Sequence, residues 1–167
     1  MAKHDDDHGA GRTENLMKRT ASEVKEPEEL TPGDWEMRCT GGRYKENEDF
    51  DADKAPDRFS NPRYRAHLAF VPVKAVGNVS DPEKVAEGTW RGKTVFARFG
   101  IASDADLWDL NKIFVGLGLS LEDRDYDDLF PLAKDKTAIV TVGLRTFKRR
   151  DGVQGKENTL TDFRQSA

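Results

Sequence analysis

Apolar and polar positions divide the chain into stretches of distinct character. Residues 1–30 hold few large apolar side chains, chiefly Leu16, Met17, Val24 and Leu30. Such a stretch cannot bury enough surface to offset chain entropy, which predicts a flexible arm with at most a short helix around 14–19. After the turn Leu30-Thr31-Pro32-Gly33-Asp34, the residues Trp35, Met37 and Cys39 alternate with Glu36, Arg38 and Thr40, the period of a half-buried strand. Gly41-Gly42 then predicts a bulge or sharp bend. Residues 46–63 are acidic, polar and Pro-containing and read as a long exposed loop. A second strand covers 64–73, where Pro72 cannot donate to a ladder, so the strand ends there or lies at an edge. Residues 77–91 form another polar excursion, in which Asp81-Pro82-Glu83 suits the opening of a short helical turn. The third strand, 93–99, follows Gly92.

One helix stands out. Ser103 is placed as N-cap with Asp106 three residues on, a capping-box spacing, and Leu107, Leu110, Ile113, Phe114 and Leu117 recur at helical intervals. Gly116 and Gly118 can end it. In the fourth strand Ala138, Val140, Val142 and Leu144 alternate with Ile139, Thr141, Gly143 and Arg145, so both faces are partly apolar. Arg149-Arg150-Asp151-Gly152 carries the Asp-Gly hairpin signal, and a weaker fifth strand spans 158–164. The order β-β-β-α-β-β predicts a mainly β protein with one central helix, a five-stranded OB-fold-like barrel. An α+β sandwich with the helix on one face of an antiparallel sheet fits the same order. The domain organisation is then a flexible acidic arm over 1–30 and an OB-fold-like domain over 31–167, with polar insertions at 46–63 and 77–91.

Composition narrows the class. At 167 residues the chain suits one domain with extra material. It is 35% charged and 36% hydrophobic, and no apolar run approaches the roughly 18 residues of a spanning helix. The first residues lack the apolar core of a secretory signal, and the lone Cys39 excludes a disulfide framework and any multi-cysteine zinc site. These features predict a cytoplasmic protein with no membrane partner. The net charge of −4 hides an asymmetry: residues 1–57 hold 9 basic and 16 acidic side chains, whereas 136–167 hold 7 and 3. An acidic total does not exclude a polyanion ligand if the positive charge gathers on one face.

The signatures of catalysis are missing. There is no Gly-x4-Gly-Lys-Ser/Thr and no Gly-x-Gly-x-x-Gly, and Gly116-Leu117-Gly118-Leu119 falls at a helix end where a phosphate cradle needs a helix start. His67 has no Ser or Cys at nucleophile spacing. His4 and His8 flank three aspartates that read as a solvated tail rather than a metal site. The acidic run 122–128 reads as a solvated loop: its resemblance to a calcium loop fails because the twelfth position is Lys134 and the sixth is not Gly. No enzyme, cofactor or metal is expected.

Nucleic-acid binding has better support, because single strands are held by Lys and Arg grooves with aromatic platforms, each stacked base contributing about 1–3 kcal/mol. Arg38, Arg43, Tyr44 and Lys45 follow one another along or just beyond the first strand. Arg65 and His67 share a face of the second, and Arg98 lies on the third. Arg145, Phe147, Lys148, Arg149, Arg150 and Lys156 crowd the hairpin of strands four and five. In an OB-fold, strands two and three with the one–two and four–five loops form the usual binding surface, which is where these residues fall. Each also has a plainer reading: Tyr44 and Phe147 as core, the arginines as ordinary surface charge. Trp35, Trp108, Phe70 and Phe96 read as core.

From Pro32-Gly33-Asp34-Trp35 to Phe163, about four-fifths of the chain, the pattern resembles small phage-encoded single-stranded-DNA-binding proteins of OB-fold type. The features that carry the resemblance are the opening Pro-Gly-Asp-Trp-Glu strand, the 107–119 helix ending in Gly-Leu-Gly-Leu, and the late strand 138–147 with its basic hairpin. The resemblance implies a non-enzymatic protein of the host-cell cytoplasm that coats single-stranded DNA in replication or recombination. Candidate partners besides the DNA are replication or recombination proteins and a second copy of the chain. Such proteins commonly carry an acidic C-terminal tail; this sequence closes on Asp162-Phe163-Arg164-Gln165-Ser166-Ala167 and has its acidic arm at the other end. The rival expectation is a virion structural or decoration protein that uses the N-terminal arm for assembly contacts.

Overall fold

In a computed structural model, residues 28–166 are described, together with Met17, Thr20 and Ala21. The helix expected around 14–19 and the His4/His8 pair lie outside the described residues. Five strands, β1 (Gly33–Glu46), β2 (Tyr64–Gly77), β3 (Val95–Ile101), β4 (Thr137–Lys148) and β5 (Gln154–Gln165), form one antiparallel sheet in the order β3-β2-β1-β4-β5. No ladder joins the β3 and β5 edges, so the sheet is open. Over residues 28–166 three helices are present: α1 (Pro82–Glu87), α2 (Asp104–Gly116) and α3 (Tyr126–Ala133). Helix α2 is the one that the spacing of Leu107, Leu110, Ile113 and Phe114 predicts; α1 matches the helical turn expected at Asp81-Pro82-Glu83. The third was not foreseen.

The core follows from strand parity. Trp35, Met37 and Cys39 of β1 point inward with Ala66, Leu68 and Phe70 of β2, Val95 and Ala97 of β3, and Ala138, Val140 and Val142 of β4. Leu110, Ile113 and Phe114 of α2 and Leu129, Phe130 and Ala133 of α3 join this cluster. Helix α2 packs on β3 and β5, and α3 packs on β1. At the start of α2, the Asp106 carboxylate accepts from the amides of Ser103 (3.1 Å) and Ala102 (2.8 Å), the cap that the sequence spacing predicts. Gly118 ends the helix with φ +84°.

Helix α3 corrects the reading of 122–128 as a solvated loop. Asp125 caps it by accepting from the Asp128 amide (3.0 Å), and Asp128 returns the bond to the Asp125 amide (3.2 Å). Carboxylates in a first helical turn oppose the positive end of the helix dipole, so this acidic run is a helix start. Its eight residues carry little apolar periodicity before Leu129, and Pro131 reads as a breaker, which hid the helix.

Three boundaries also move. Strand β2 continues past Pro72 to Gly77, and this is tolerated because β3 pairs only with Tyr64–Phe70, leaving β2 unpaired on that side at Pro72. Strand β5 begins at Gln154, earlier than 158. Leu30, assigned to the arm, is buried in the core. Its amide donates to Asn158 Oδ1 (2.8 Å) and its carbonyl accepts from Asn158 Nδ2 (2.9 Å), so a β5 side chain fastens the start of the domain. Among the described residues no helix is long and apolar enough to cross a membrane.

Candidate nucleic-acid interface

The geometry of the candidate site begins at a bulge. Cys39 pairs with Phe70 and Gly41 with Ala69, so Thr40 is an extra residue in β1. Before it, odd-numbered residues face the core; after it, even-numbered ones take that side of the sheet. Tyr44 therefore turns toward Phe130 of α3 and stays partly exposed, while Arg43 and Lys45 emerge on the outer face. There Arg43 lies opposite His67, and His67 opposite Arg98, making a row across β1, β2 and β3. Lys45 lies opposite Arg65, and Arg65 opposite Gly100.

This face is the floor of a groove of about 620 Å³. Arg43, Lys45, Arg65, His67, Arg98 and Arg145 line it, six of the thirteen residues singled out in the sequence, together with Arg58 and Phe59 of the β1–β2 loop. Two carboxylates, Asp106 and Asp109 of α2, also reach it, and both are engaged by the Arg58 guanidinium at 3.7 and 3.4 Å. Arg145 is held by Glu157, its cross-strand partner on β5. Arg43, Lys45, Arg65 and Arg98 have no carboxylate at ion-pair distance among the described residues. Positive charge gathered on one face in this way is what a polyanion requires.

Aromatic rings stand beside the cations. Phe96, two residues before Arg98 and so on the same face, is 42% exposed; the Arg98 guanidinium lies over its ring at 4.8 Å and His67 meets its edge at 6.2 Å. Phe59 is 78% exposed under Arg58, at 4.6 Å. Phe96 thus corrects its assignment to the core. Its parity with Arg98 was the signal that could have found it, whereas Phe59 and Arg58 lie in a loop without periodicity. Trp108, also assigned to the core, is 66% exposed on α2, while Trp35 and Phe70 are fully buried as expected.

The other singled-out residues lie elsewhere. Tyr44 packs against Tyr64 and Phe130 and donates to Asp127 of α3 at 2.7 Å, and that carboxylate holds its phenol above the ordinary value. The Gly41 bulge is why it leaves the basic face. Arg38 precedes the bulge and pairs with Asp135 at 3.2 Å, away from the groove. Phe147, Lys148, Arg149, Arg150 and Lys156 continue from Arg145 along the β4–β5 hairpin, beyond the groove lining. Its turn closes as the Asp-Gly signal predicts, with Arg149 N–H donating to the Val153 carbonyl (2.9 Å) and Gly152 at φ +84°. Phe147 lies over Gly155, where a Cβ would sit 2.6 Å from its ring.

His67 is half-buried at the centre of the row. Burial is the main force holding its pKa below the ordinary imidazole value, and the charges of Arg43, Arg98 and Lys45 act in the same direction. Among the described residues no cluster of His, Cys, Asp or Glu is arranged to hold a metal ion. No family model matches this sequence, and no curated protein matches it.

Proposed function

We propose that the chain binds single-stranded nucleic acid with little sequence preference, coating single-stranded DNA in phage replication or recombination, and that its role is non-enzymatic. The observation that carries this reading is the cross-strand row Arg43–His67–Arg98, flanked by Lys45 and Arg65, on one continuous groove whose four cations have no carboxylate partner among the described residues. Contacts of this kind neutralise phosphates and carry no base identity, which suits a coating protein. Phe96 and Phe59 add exposed rings that an unstacked base can cover and a duplex cannot.

The architecture supports an OB-type barrel with an open seam. Residues 96–99 of β3 and 157–160 of β5 line a common cleft of about 200 Å³, so the two sheet edges approach without pairing. An OB-fold is itself a partly open barrel that binds on its second and third strands and the adjoining loops. The groove here is lined by β2, β3 and the β1–β2 loop among others, with the β4–β5 turn beyond it.

A labelled oligo-dT titration followed by fluorescence anisotropy tests the reading. Four phosphate contacts predict a slope of log affinity against log salt near −3, a loss of roughly fifty-fold between about 50 and 200 mM salt. Absence of binding at the lower salt, or affinity indifferent to salt, would overturn it.

One observation favours a second reading, the virion structural or decoration protein. Trp108 stands exposed beside an apolar cleft of about 680 Å³ between α2 and β5 that also includes Ile113, Leu160 and Phe163. Exposed apolar surface of this kind suits an assembly contact. DNA-independent regular assemblies in light scattering would support that role.

A further inference from the structure

We propose that His67 couples proton uptake to polyanion binding in the basic groove, so that affinity rises as pH falls through the imidazole range. This rests on the reading of the groove as a polyanion site and adds a regulatory property to it.

The argument starts from position. His67 lies on β2 directly between Arg43 of β1 and Arg98 of β3, with its ring edge against Phe96. The other charged groups of the groove are Lys45 on β1, Arg65 on β2, Arg58 of the β1–β2 loop and Arg145 on β4. Among the described residues, the carboxylates that reach them are already engaged: Asp106 and Asp109 of α2 by Arg58, and Glu157 of β5 by Arg145. No acid pairs with His67 among the described residues. In the protein alone, a proton on this ring therefore meets burial and several like charges with no described acid opposing them, which disfavours the charged form.

A bound polyphosphate chain reverses the balance. Its charge cancels the potential of the flanking arginines, and a phosphate oxygen laid along the Arg43–Arg98 row supplies an acceptor for the imidazolium N–H. The bound protein then holds a proton on His67 at pH values where the free protein does not. By linkage, affinity must increase as pH falls between the free and the bound pKa, by at most about tenfold per pH unit for one proton. Below the free value both states are protonated, and above the bound value both are neutral, so the dependence levels off at each end. The chain holds two further histidines, His4 and His8, so the effect is read as a difference between proteins that all retain them.

The test measures oligo-dT affinity at constant ionic strength from about pH 5.5 to about pH 8.5, around the ordinary imidazole value, for the wild-type chain, His67→Gln and His67→Arg. The wild type is expected to bind several-fold more tightly at the acid end. Both variants, one without the charge and one with it permanently, are expected to lose that extra slope. An unchanged pH slope in both variants overturns the proposal. A second measurement follows the His67 ring resonance by NMR with and without inorganic tripolyphosphate. A raised pKa in its presence supports the coupling even if oligo-dT fails to bind, an outcome that would sink only the nucleic-acid reading. An unmoved pKa overturns the coupling even if oligo-dT binds well.

Discussion

At the scale of single residues, what separates a ligand-binding cation from an ordinary surface charge is the company it keeps. Arg38 and Arg43 are five residues apart on one strand, yet Arg38 has Asp135 at 3.2 Å while Arg43 faces His67 with no carboxylate partner. An exposed ion pair is worth little to the fold, but it consumes the charge a ligand would use. Arg43→Glu is therefore expected to weaken oligo-dT binding by roughly tenfold or more at low salt, since it removes one phosphate contact and introduces a repulsive charge. Arg38→Glu is expected to change affinity by less than about twofold at the same salt. Anisotropy titrations of the two variants side by side check the contrast, and equal losses would mean that the binding face is not the one described. The same logic limits Arg145, whose charge is shared with Glu157, and Arg58, which is committed to Asp106 and Asp109.

At the scale of elements, the β1 bulge decides which side chains reach the groove. One extra residue, Thr40, moves Tyr44 to the side of the sheet that carries α3 and puts Arg43 and Lys45 on the other. Gly42 permits the close approach of β2 that follows: a Cβ there would meet the His67 carbonyl oxygen and Leu68 Cδ2 at 2.5 Å. Gly42→Ala is expected to destabilise the fold by about 1–3 kcal/mol through forced displacement of β2, and to weaken oligo-dT binding because His67 and Arg65 move with that strand. Urea unfolding together with the anisotropy titration checks both; a stable variant with unaltered affinity would show that the strand spacing is immaterial. The Gly-Gly pair announces an irregularity in the sequence, but not which residue is extra, and a shift of one residue exchanges the faces. For that reason Tyr44 reads beside Arg43 and Lys45 along the chain although the fold sends it to the opposite side. Phe96 was legible in principle through its parity with Arg98, yet an apolar residue on a strand reads as core unless the face is known. Helix α3 was hidden for another reason, since capping carboxylates and an internal proline both read locally as loop.

At the scale of the whole molecule, order and pairing follow the alternation of apolar residues closely. The five strands, the central helix and the Asp-Gly hairpin follow one another in the expected order, with β2 and β5 longer than their patterns predict, because each is specified by residues close together in the chain. The groove is not specified that way. Its lining comes from β1, β2, β3, β4, the β1–β2 loop and α2, and only the sheet order β3-β2-β1-β4-β5 brings these together. The acidic total of the chain is compatible with this arrangement, since the negative charge is concentrated before residue 58 and at the start of α3, whereas the outer face of β1, β2 and β3 is basic. The most direct test is an NMR titration of the full chain with oligo-dT at low salt, following backbone amide shifts residue by residue. The account predicts that the largest shifts cluster at Arg43, Lys45, Arg65, His67, Phe96 and Arg98, with the surface around Trp108 unmoved. Shifts centred on Trp108 and β5 instead, or scattered evenly over the surface, would contradict it.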